Sequence, residues 1–190
     1  MKLKVKKSTI PSGSLTEKYL PADHSDVYAC VTDTGKEIIP DDIMVNFWTD
    51  FPRWITALFK LRDFLVKFVG LKGSDSSNTA YFVHSTSMKE LENCIRTGGT
   101  YDFVSVPAKS ANETVLLLSD KHLDAYLSVH VESREGHKTI SAITLVNFNN
   151  KLGRFYFFVI SPFHGMIVKS LLKRSVKRAS WRLPEEEVIR

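Results

Sequence analysis

The sequence predicts an α+β fold in which a curved antiparallel sheet packs on a long C-terminal helix. Three observations predict it. Apolar residues recur at helical spacing in the first half of the chain, they alternate with polar residues between short turns in the second half, and a helical pattern returns after Pro162. A parallel α/β fold would alternate strands and helices throughout, which this chain does not do.

Length and composition indicate one globular domain. The chain has 190 residues, and a domain has roughly 150. We expect a basic, Ser-, Pro- and Gly-containing N-terminal arm over residues 1–25, ordered only where it packs on the body, then one domain over residues 26–180 and a tail over residues 181–190. A hydrophobic fraction of 43% excludes wholesale disorder.

The cysteines and the apolar runs favour a soluble cytoplasmic protein with no membrane span. Cys30 and Cys94 form no C-x-x-C pair and are predicted to be reduced and buried, while a disulfide or metal pair is the minor alternative. The basic N-terminus is not followed by an apolar stretch before Pro11, as it would be in a secretory signal. The longest apolar run, residues 155–160, is too short to cross a bilayer.

In the first half, the sequence predicts a strand, a turn, two helices, a loop, a second strand and a short helix. Asp41 and Asp50 are suitable helix caps, Pro52 is tolerated in a first helical turn, and Ser87 with Glu90 can form a capping box. The two strands are expected at 27–31 and 81–85, the turn at 34–35 and the loop at 73–78. The two helices are expected at 41–48 and 50–70, and the short helix at 87–96.

In the second half, the sequence predicts successive strands and then a helix. The connection at 133–138 contains Gly136, and the connection at 149–153 contains Asn149, Asn150 and Gly153. Such connections are typical of antiparallel hairpins. The expected strands are 101–106, 113–119, 122–132, 139–148 and 154–160, and the helix runs from Phe163 to about Ala179.

The strand over 122–132 alternates cleanly. Its odd-numbered positions are apolar and predict a core face, while its even-numbered positions are mostly polar and predict a face that is wet or lines a polar site. The strand over 155–160 is apolar or aromatic on both faces, which predicts a central strand covered on both sides. Alternatively, these aromatic residues line an apolar ligand cavity between sheet and helix. The candidate ligand-binding residues are Trp54, Phe155, Phe157, Phe163, Ile167 and Leu171.

Four side chains are candidates for acid–base chemistry: His122, Asp124, Arg154 and His164. Asp120, His122 and Asp124 would share one strand face at intervals of about 6.6 Å, and flanking carboxylates favour a protonated His122. Arg154 could bind a carboxylate or phosphate bidentately. We expect His164 at a helix start, where a neutral imidazole could act as a base. The simpler interpretations are a solvated strand face, a hairpin turn and a capping or core histidine.

No metal site and no cofactor are expected. His122 and His130, eight positions apart on one strand, would be about 26 Å apart, and no H-x-H or H-x-x-x-H spacing occurs. The sequence also lacks a G-x-S-x-G nucleophile motif, a Walker loop and a G-x-G-x-x-G fingerprint. A nucleotide-dependent enzyme is therefore disfavoured.

The final helix carries a row of lysines, Lys169, Lys173 and Lys177, with Arg174 and Arg178 beside it. Binding of phosphate, nucleic acid or anionic lipid is one interpretation. We favour a solvated face whose cations suit the helix C-terminus. Because no aromatic residue interleaves the row, no nucleic-acid partner is expected.

Several motifs, taken in order, resemble the bacterial family catalogued as domain of unknown function 2867. They are His24-Ser25-Asp26, Pro52-Arg53-Trp54, Leu61-Arg62-Asp63, Gly70-Leu71-Lys72, Asp120-Lys121-His122-Leu123-Asp124, Asn147-Phe148-Asn149, Gly153-Arg154-Phe155-Tyr156 and Ile160-Ser161-Pro162-Phe163-His164.

The resemblance covers roughly residues 20–178. It implies a helix-grip fold of the polyketide cyclase and lipid-transfer superfamily (START-like, SRPBCC-like), in which a curved sheet wraps a long C-terminal helix. The family has no assigned activity. The chain departs from the family pattern at Ser119, where an acidic residue is common, and at Gly165, where a basic one is common.

Three functions remain open. The first is a binding module that encloses an apolar or amphipathic small molecule between the sheet and the C-terminal helix. The second is a cyclase- or hydratase-type enzyme whose four acid–base candidates converge on that pocket. The third is a non-catalytic protein that forms a homodimer through the apolar sheet face or through the region of Trp48 and Trp54.

Overall fold

The computed structural model describes residues 3–33, 37–55 and 88–181 and confirms the α+β class. The described strands are β1 (Lys6–Lys7), β2 (His24–Thr32), β3 (Thr100–Tyr101), β4 (Val104–Lys109), β5 (Glu113–Ser119), β6 (Leu123–Arg134) and β7 (His137–Phe148). The helices are α1 (Pro40–Thr49), α2 (Met88–Thr97) and α3 (Lys151–Trp181). The seven strands form one curved antiparallel sheet in the order β1-β2-β7-β6-β5-β4-β3, which together with α3 is consistent with a helix grip.

Some predicted elements lie outside the described residues. They are the turn at 34–35, the loop at 73–78, the strand at 81–85 and the tail beyond residue 181. Of the helix expected over 50–70, only residues 50–55 are described, and residues 53–55 are helical.

The main hydrophobic core lies between the inner face of the sheet and the three helices. On β6, the odd-numbered residues Leu127, Val129 and Val131 are buried there, as the alternation predicts. They meet Val168, Leu171, Leu172 and Val176 of α3, together with residues of α1 and α2. Because β6 pairs with β5 on one side and β7 on the other, the same face of all three strands contributes to this core.

The N-terminal arm covers the centre of the outer face of the sheet. Of the two alternatives for the polar face of β6, wet or lining a polar site, the wet one is therefore wrong at its centre. The ring of Tyr19 stacks on Tyr126 with centroids 4.1 Å apart. The carboxylate of Glu113, only 1% exposed, accepts hydrogen bonds from the hydroxyls of Ser14 (2.7 Å) and Ser128 (2.5 Å) and from the backbone N–H of Leu15 (2.7 Å). The arm is therefore fixed to the sheet by a buried charge-assisted network.

The predicted strand over 154–160 is wrong, because these residues belong to α3, which begins at Lys151 and has Pro162 inside it. The side-chain oxygen of Asn150 accepts hydrogen bonds from the N–H groups of Leu152 (3.1 Å) and Gly153 (3.0 Å), as a helix cap does. The connection after β7 is thus a strand-to-helix junction instead of a hairpin. A short run of apolar residues has no periodicity, so its sequence does not distinguish a buried strand from part of a helix.

Two smaller differences concern the strands and the last turns of α3. The strand expected over 101–106 is divided into β3 and β4 by a turn in which Asp102 has a φ of 55°.

Arg174 donates to both carboxylate oxygens of Asp50 (2.5 and 2.8 Å), and Arg178 lies 3.3 Å from the same group. These two arginines therefore join α3 to the end of α1, and the lysine row beside them is exposed.

Candidate functional site

A half-open cleft of about 470 Å³ lies between α3, the end of α1 and the inner face of β5, β6 and β7. Most of its wall is apolar. The described residues that line it from the helices are Phe47, Trp48, Tyr156, Phe157, Ile160, His164, Ile167, Val168 and Leu171. From the sheet and connecting segments come Phe51, Phe103, Leu118, Ser119, Asp120, Lys121, His122, Leu123, Ala125, Tyr126, Leu127, Thr144 and Val146.

Helical periodicity explains how α3 provides one wall. Phe157, Ile160, His164, Ile167 and Leu171 follow one another at intervals of three or four residues, so they form a single stripe along the helix. The stripe is visible in the sequence once residues 155–160 are placed on a helix.

A buried polar cluster lies where α3 crosses β2. Alternation along β2 directs His24 and Asp26 to the same inner face. Asp26 is 8% exposed, its Oδ2 lies 3.3 Å from Nε2 of His24, and the same oxygen lies 3.4 Å from Nε2 of His164. The second contact is within ion-pair distance but does not have the direction of a hydrogen bond.

The cluster keeps Asp26 ionised. Burial alone would raise the pKa of this carboxyl, but its contacts with His164 and then with His24 outweigh burial, so its pKa lies below the ordinary value of 3.8. The same carboxylate has an effect on Tyr28, two residues along the strand, whose pKa is raised first by burial and then by the negative charge of Asp26.

Aromatic rings hold both histidines in place. The ring of Phe157 lies 4.6 Å from the His24 ring, 5.9 Å from the His164 ring and 5.5 Å from the Phe148 ring, measured between centroids. Since Phe157 also lines the cleft, the polar cluster and the apolar cavity share a wall.

Several buried polar atoms of this region have no hydrogen-bond partner among the residues that the structure describes. They are Oδ1 of Asp26, Oγ1 of Thr144, Nε2 of His122 and Nε2 of His164. Thr144, 4% exposed, is directly opposite Asp26 in the β2–β7 register and lines the cleft, as do both of these histidines. Unsatisfied buried polar groups are rare and costly, and three of these residues, Thr144, His122 and His164, belong to the cleft wall.

The four acid–base candidates do not form one constellation. His164 belongs to the cluster with Asp26, and His122 lines the cleft with its Nδ1 near the Asn150 amide (3.2 Å to Nδ2). Arg154 is 70% exposed and lies 3.5 Å from Asp23.

The fourth candidate, Asp124, accepts a hydrogen bond from the Ser119 hydroxyl. Its position in the strand alternation places it with Tyr126, whose pKa is raised first by burial and then by the charge of Asp124. The described part of the cleft lining includes His122 and His164 and does not include Asp124 or Arg154.

The six candidate ligand-binding residues divide in a similar way. Phe157, Ile167 and Leu171 line the cleft. Trp54 (38% exposed), Phe155 (49%) and Phe163 (40%) lie outside its described lining.

Residue-level reasoning missed His24, Asp26 and Thr144 as site residues. A signal for the first two was available. His24 and Asp26 are polar residues at alternate positions of an otherwise buried strand, and both belong to a motif of the family resemblance. No signal linked them to His164, because that contact depends on where α3 crosses β2.

Within the described ranges, no group of three or more His, Cys, Asp or Glu residues has the geometry to hold a metal ion. Both cysteines are buried thiols without a disulfide, as predicted. Burial raises the pKa of Cys30 to about 12 and also raises that of Cys94.

One described helix, spanning Lys151–Ser180, is long and apolar enough to cross a membrane by length and composition alone. Only 22% of its most apolar window is buried in the protein. The prediction that the apolar run is too short assumed a strand that ends at Ile160, whereas the continuous helix gives a longer apolar segment.

Comparison with known proteins gives a family and nothing more specific. The family model described as "Protein of unknown function (DUF2867)" matches residues 19–171, which include the sheet from β2 to β7, α1, α2 and most of α3. No curated protein and no solved structure matches the chain.

Proposed function

Since the chain belongs to the DUF2867 family, whose description assigns no activity, we propose a function from its geometry: it binds an amphipathic small molecule in the cleft between the sheet and α3. The observation that carries the proposal is an apolar cleft with the buried, unpartnered hydroxyl of Thr144 in its wall.

The size and composition of the cleft support this function. A volume of about 470 Å³ lies within the range of about 300–1,000 Å³ that is common for small-molecule sites. Such sites combine a mainly apolar wall with a few polar groups that orient the ligand. Here the apolar wall comes from α1, α3 and β6, and the polar groups are Thr144, His122 and His164.

The polar atoms define the chemistry of the ligand. A hydroxyl group can both donate and accept, so it can bond to Oγ1 of Thr144 whichever way that hydroxyl is turned. A carbonyl oxygen can accept from the same hydroxyl. We therefore infer a ligand with an apolar body and a hydroxyl or carbonyl end that replaces the missing partner of Thr144.

A displacement assay with full-length protein tests the binding function. Nile red reports occupancy of an apolar cleft, and dodecanol and dodecane are competitors that differ only in the terminal hydroxyl. Ile167→Trp fills the cleft and should weaken Nile red binding at least about tenfold, because the added ring occupies the ligand volume. Met166→Trp, on the exposed side of the same helix, is the matched control and should bind the dye as the parent chain does.

The hydroxyl preference has its own variant. Thr144→Val keeps the shape of the side chain and removes the hydroxyl, so dodecanol should lose about fivefold to tenfold in affinity while dodecane is unaffected. The proposal fails if Nile red binds equally to the parent chain and Ile167→Trp, or if neither competitor displaces it.

A second candidate, a cyclase- or hydratase-type enzyme, is favoured by the pairing of Asp26 with His164. His164 lines the cleft while an ionised carboxylate lies beside its ring. In this function His164 removes a proton from the bound molecule, and Asp26 stabilises the imidazolium that results.

Mass spectrometry of the ligand that co-purifies with His164→Gln tests the enzyme function. The parent chain should change the mass or isomeric form of that ligand, whereas His164→Gln should bind it without changing it. An unaltered ligand after prolonged incubation with the parent chain would contradict catalysis and leave the binding function standing.

A further inference from the structure

The outward side of α3, opposite the cleft, exposes large apolar side chains. Phe155 is 49% exposed, Phe158 75%, Phe163 40% and Met166 52%. Phe155, Phe158, Pro162 and Met166 follow at intervals of three or four residues and form one stripe, which Phe163 flanks. A contiguous apolar surface of this kind on a soluble domain is typical of an interaction site.

The charges that α3 itself places beside this stripe are all positive. From Lys151 to Trp181 the helix contains no Asp or Glu. Lys169 and Lys173 continue the stripe at the same spacing after Met166 and are exposed. Across a shallow groove from these two lysines lies Lys4.

These lysines have no acidic partner among the described residues. Lys169 instead lies over the Tyr28 ring, with its Nζ 4.9 Å from the centroid. Arg174 and Arg178, by contrast, share the carboxylate of Asp50, which offsets one of their two positive charges. Positive charge without a counter-charge is thus concentrated beside the apolar stripe.

We propose that this face of α3 binds the surface of an anionic lipid bilayer, with the helix lying in the plane of the interface. The four exposed apolar side chains enter the boundary between headgroups and acyl chains, and Lys169, Lys173 and Lys4 contact the lipid phosphates. Helices with an aromatic and aliphatic face beside lysines bind membranes in this way, because apolar burial and attraction to anionic lipid act together.

The opposite side of α3 argues against a membrane-spanning orientation. Val168, Leu171 and Leu172 are buried against the sheet, and His164 lies beside Asp26. Crossing a bilayer would remove all these contacts, whereas lying on the surface keeps them. The low buried fraction of the most apolar window, 22%, is accounted for by the lipid-facing stripe.

A second copy of the chain is a less suitable occupant of this face. Because α3 has no acidic side chain, a copy meeting it through the same helix offers nothing to neutralise the lysines. An anionic bilayer offers both an apolar layer and negative charge. This proposal does not depend on whether the cleft binds a ligand.

Vesicle flotation with full-length protein tests the proposal. One set of vesicles contains only phosphatidylcholine, and the other contains about one-third phosphatidylglycerol, which gives the anionic surface. We expect binding to the anionic vesicles, weaker binding as salt is raised, and little binding to neutral ones. Phe158→Ser should weaken partitioning at least about tenfold, since a buried phenyl side chain contributes that much.

Two further variants test whether charge contributes to vesicle binding and whether the effect is specific to this face of α3. Lys173→Gln should weaken partitioning by about fivefold, the effect of one lysine near an anionic surface. Val31→Ser removes an apolar side chain that is similarly exposed (54%) but lies on β2, and it should bind as the parent chain does. The cleft variant Ile167→Trp should also bind vesicles normally, which distinguishes this surface from the ligand site.

Three results would overturn the proposal. They are absence of binding to anionic vesicles, equal binding by the parent chain and Phe158→Ser, and a dimer in light scattering that Phe158→Ser dissociates while vesicles do not bind. The last result would assign the face to a second copy.

Discussion

Gly165 of α3 lies against the phenol of Tyr28 on β2, so closely that a Cβ built on the glycine would overlap the hydroxyl oxygen and lie 3.2 Å from Cζ. The absence of a side chain at this point lets α3 approach the sheet, and it brings the neighbouring His164 to Asp26. This contact gives a physical reason for a glycine at position 165.

Gly165→Ala should therefore destabilise the protein by about 1–3 kcal/mol, the usual cost of forcing a methyl group into a packed contact. Chemical denaturation measures the change. Tyr28→Phe removes the hydroxyl that the new methyl meets, so the cost of Gly165→Ala should be smaller in that background. Gly99→Ala is the control, because its nearest neighbour would be 3.7 Å away, and equal costs at the two glycines would contradict the packing argument.

Glu113 should be essential for attachment of the N-terminal arm. Glu113→Gln retains the shape but weakens three charge-assisted hydrogen bonds, and we expect a loss of about 2–4 kcal/mol in the free energy of unfolding. Hydrogen exchange at Leu15 should accelerate at the same time. Glu17→Gln, at an exposed carboxylate that accepts from the N–H of Gly13, is the control and should change stability little; unchanged exchange in Glu113→Gln would contradict the anchoring role.

The contribution of Asp26 to stability should depend on pH in a defined direction. Its native pKa is below the ordinary value, so its carboxylate stabilises the fold above that value and the contribution is lost as pH falls through the native pKa. We expect the stability difference between the parent chain and Asp26→Asn to be largest above about pH 5 and to shrink towards about pH 3. Urea denaturation across this range measures it, and a constant difference would show that Asp26 gains nothing from ionisation.

Both thiols should resist modification in the native protein. Cys30 and Cys94 are buried, and the pKa of Cys30 is raised to about 12, so little thiolate forms at neutral pH. Ellman's reagent should label neither cysteine in buffer and both in denaturant. Rapid labelling of the folded chain would contradict the burial of these residues.

The sequence predicted the sheet better than the helix that covers it. Strand β6 and its neighbours alternate in polarity, and one strand cannot slip against the next without exposing Leu127 and Val129, so their pattern is informative. Residues 155–160 carry no comparable alternation, and Asn150 suits a turn as well as a helix cap. Residues 155–160 are helical instead of extended because of tertiary packing, which places Phe157 and the residues after it over the sheet.

The site was harder to predict than the fold because its parts come from distant segments. His164 was a candidate on local grounds, yet its partner Asp26 lies on the second strand and the two meet only through the crossing of α3 over β2. His122 and Asp124, which were predicted to share a strand face, diverge because β6 begins at Leu123 and His122 lies in the bend before it. Alternation predicts which residues share a face of the sheet, but it does not show which face a cavity lies against.

The described sheet ends in very short strands on both sides. β1 consists of two lysines, Lys6 and Lys7, and β3 of two residues, Thr100 and Tyr101. Short or lysine-bearing margins give an incoming chain few backbone groups to pair with, and thus protect against fibrous self-association. The edges of the described sheet should therefore not template cross-β assemblies.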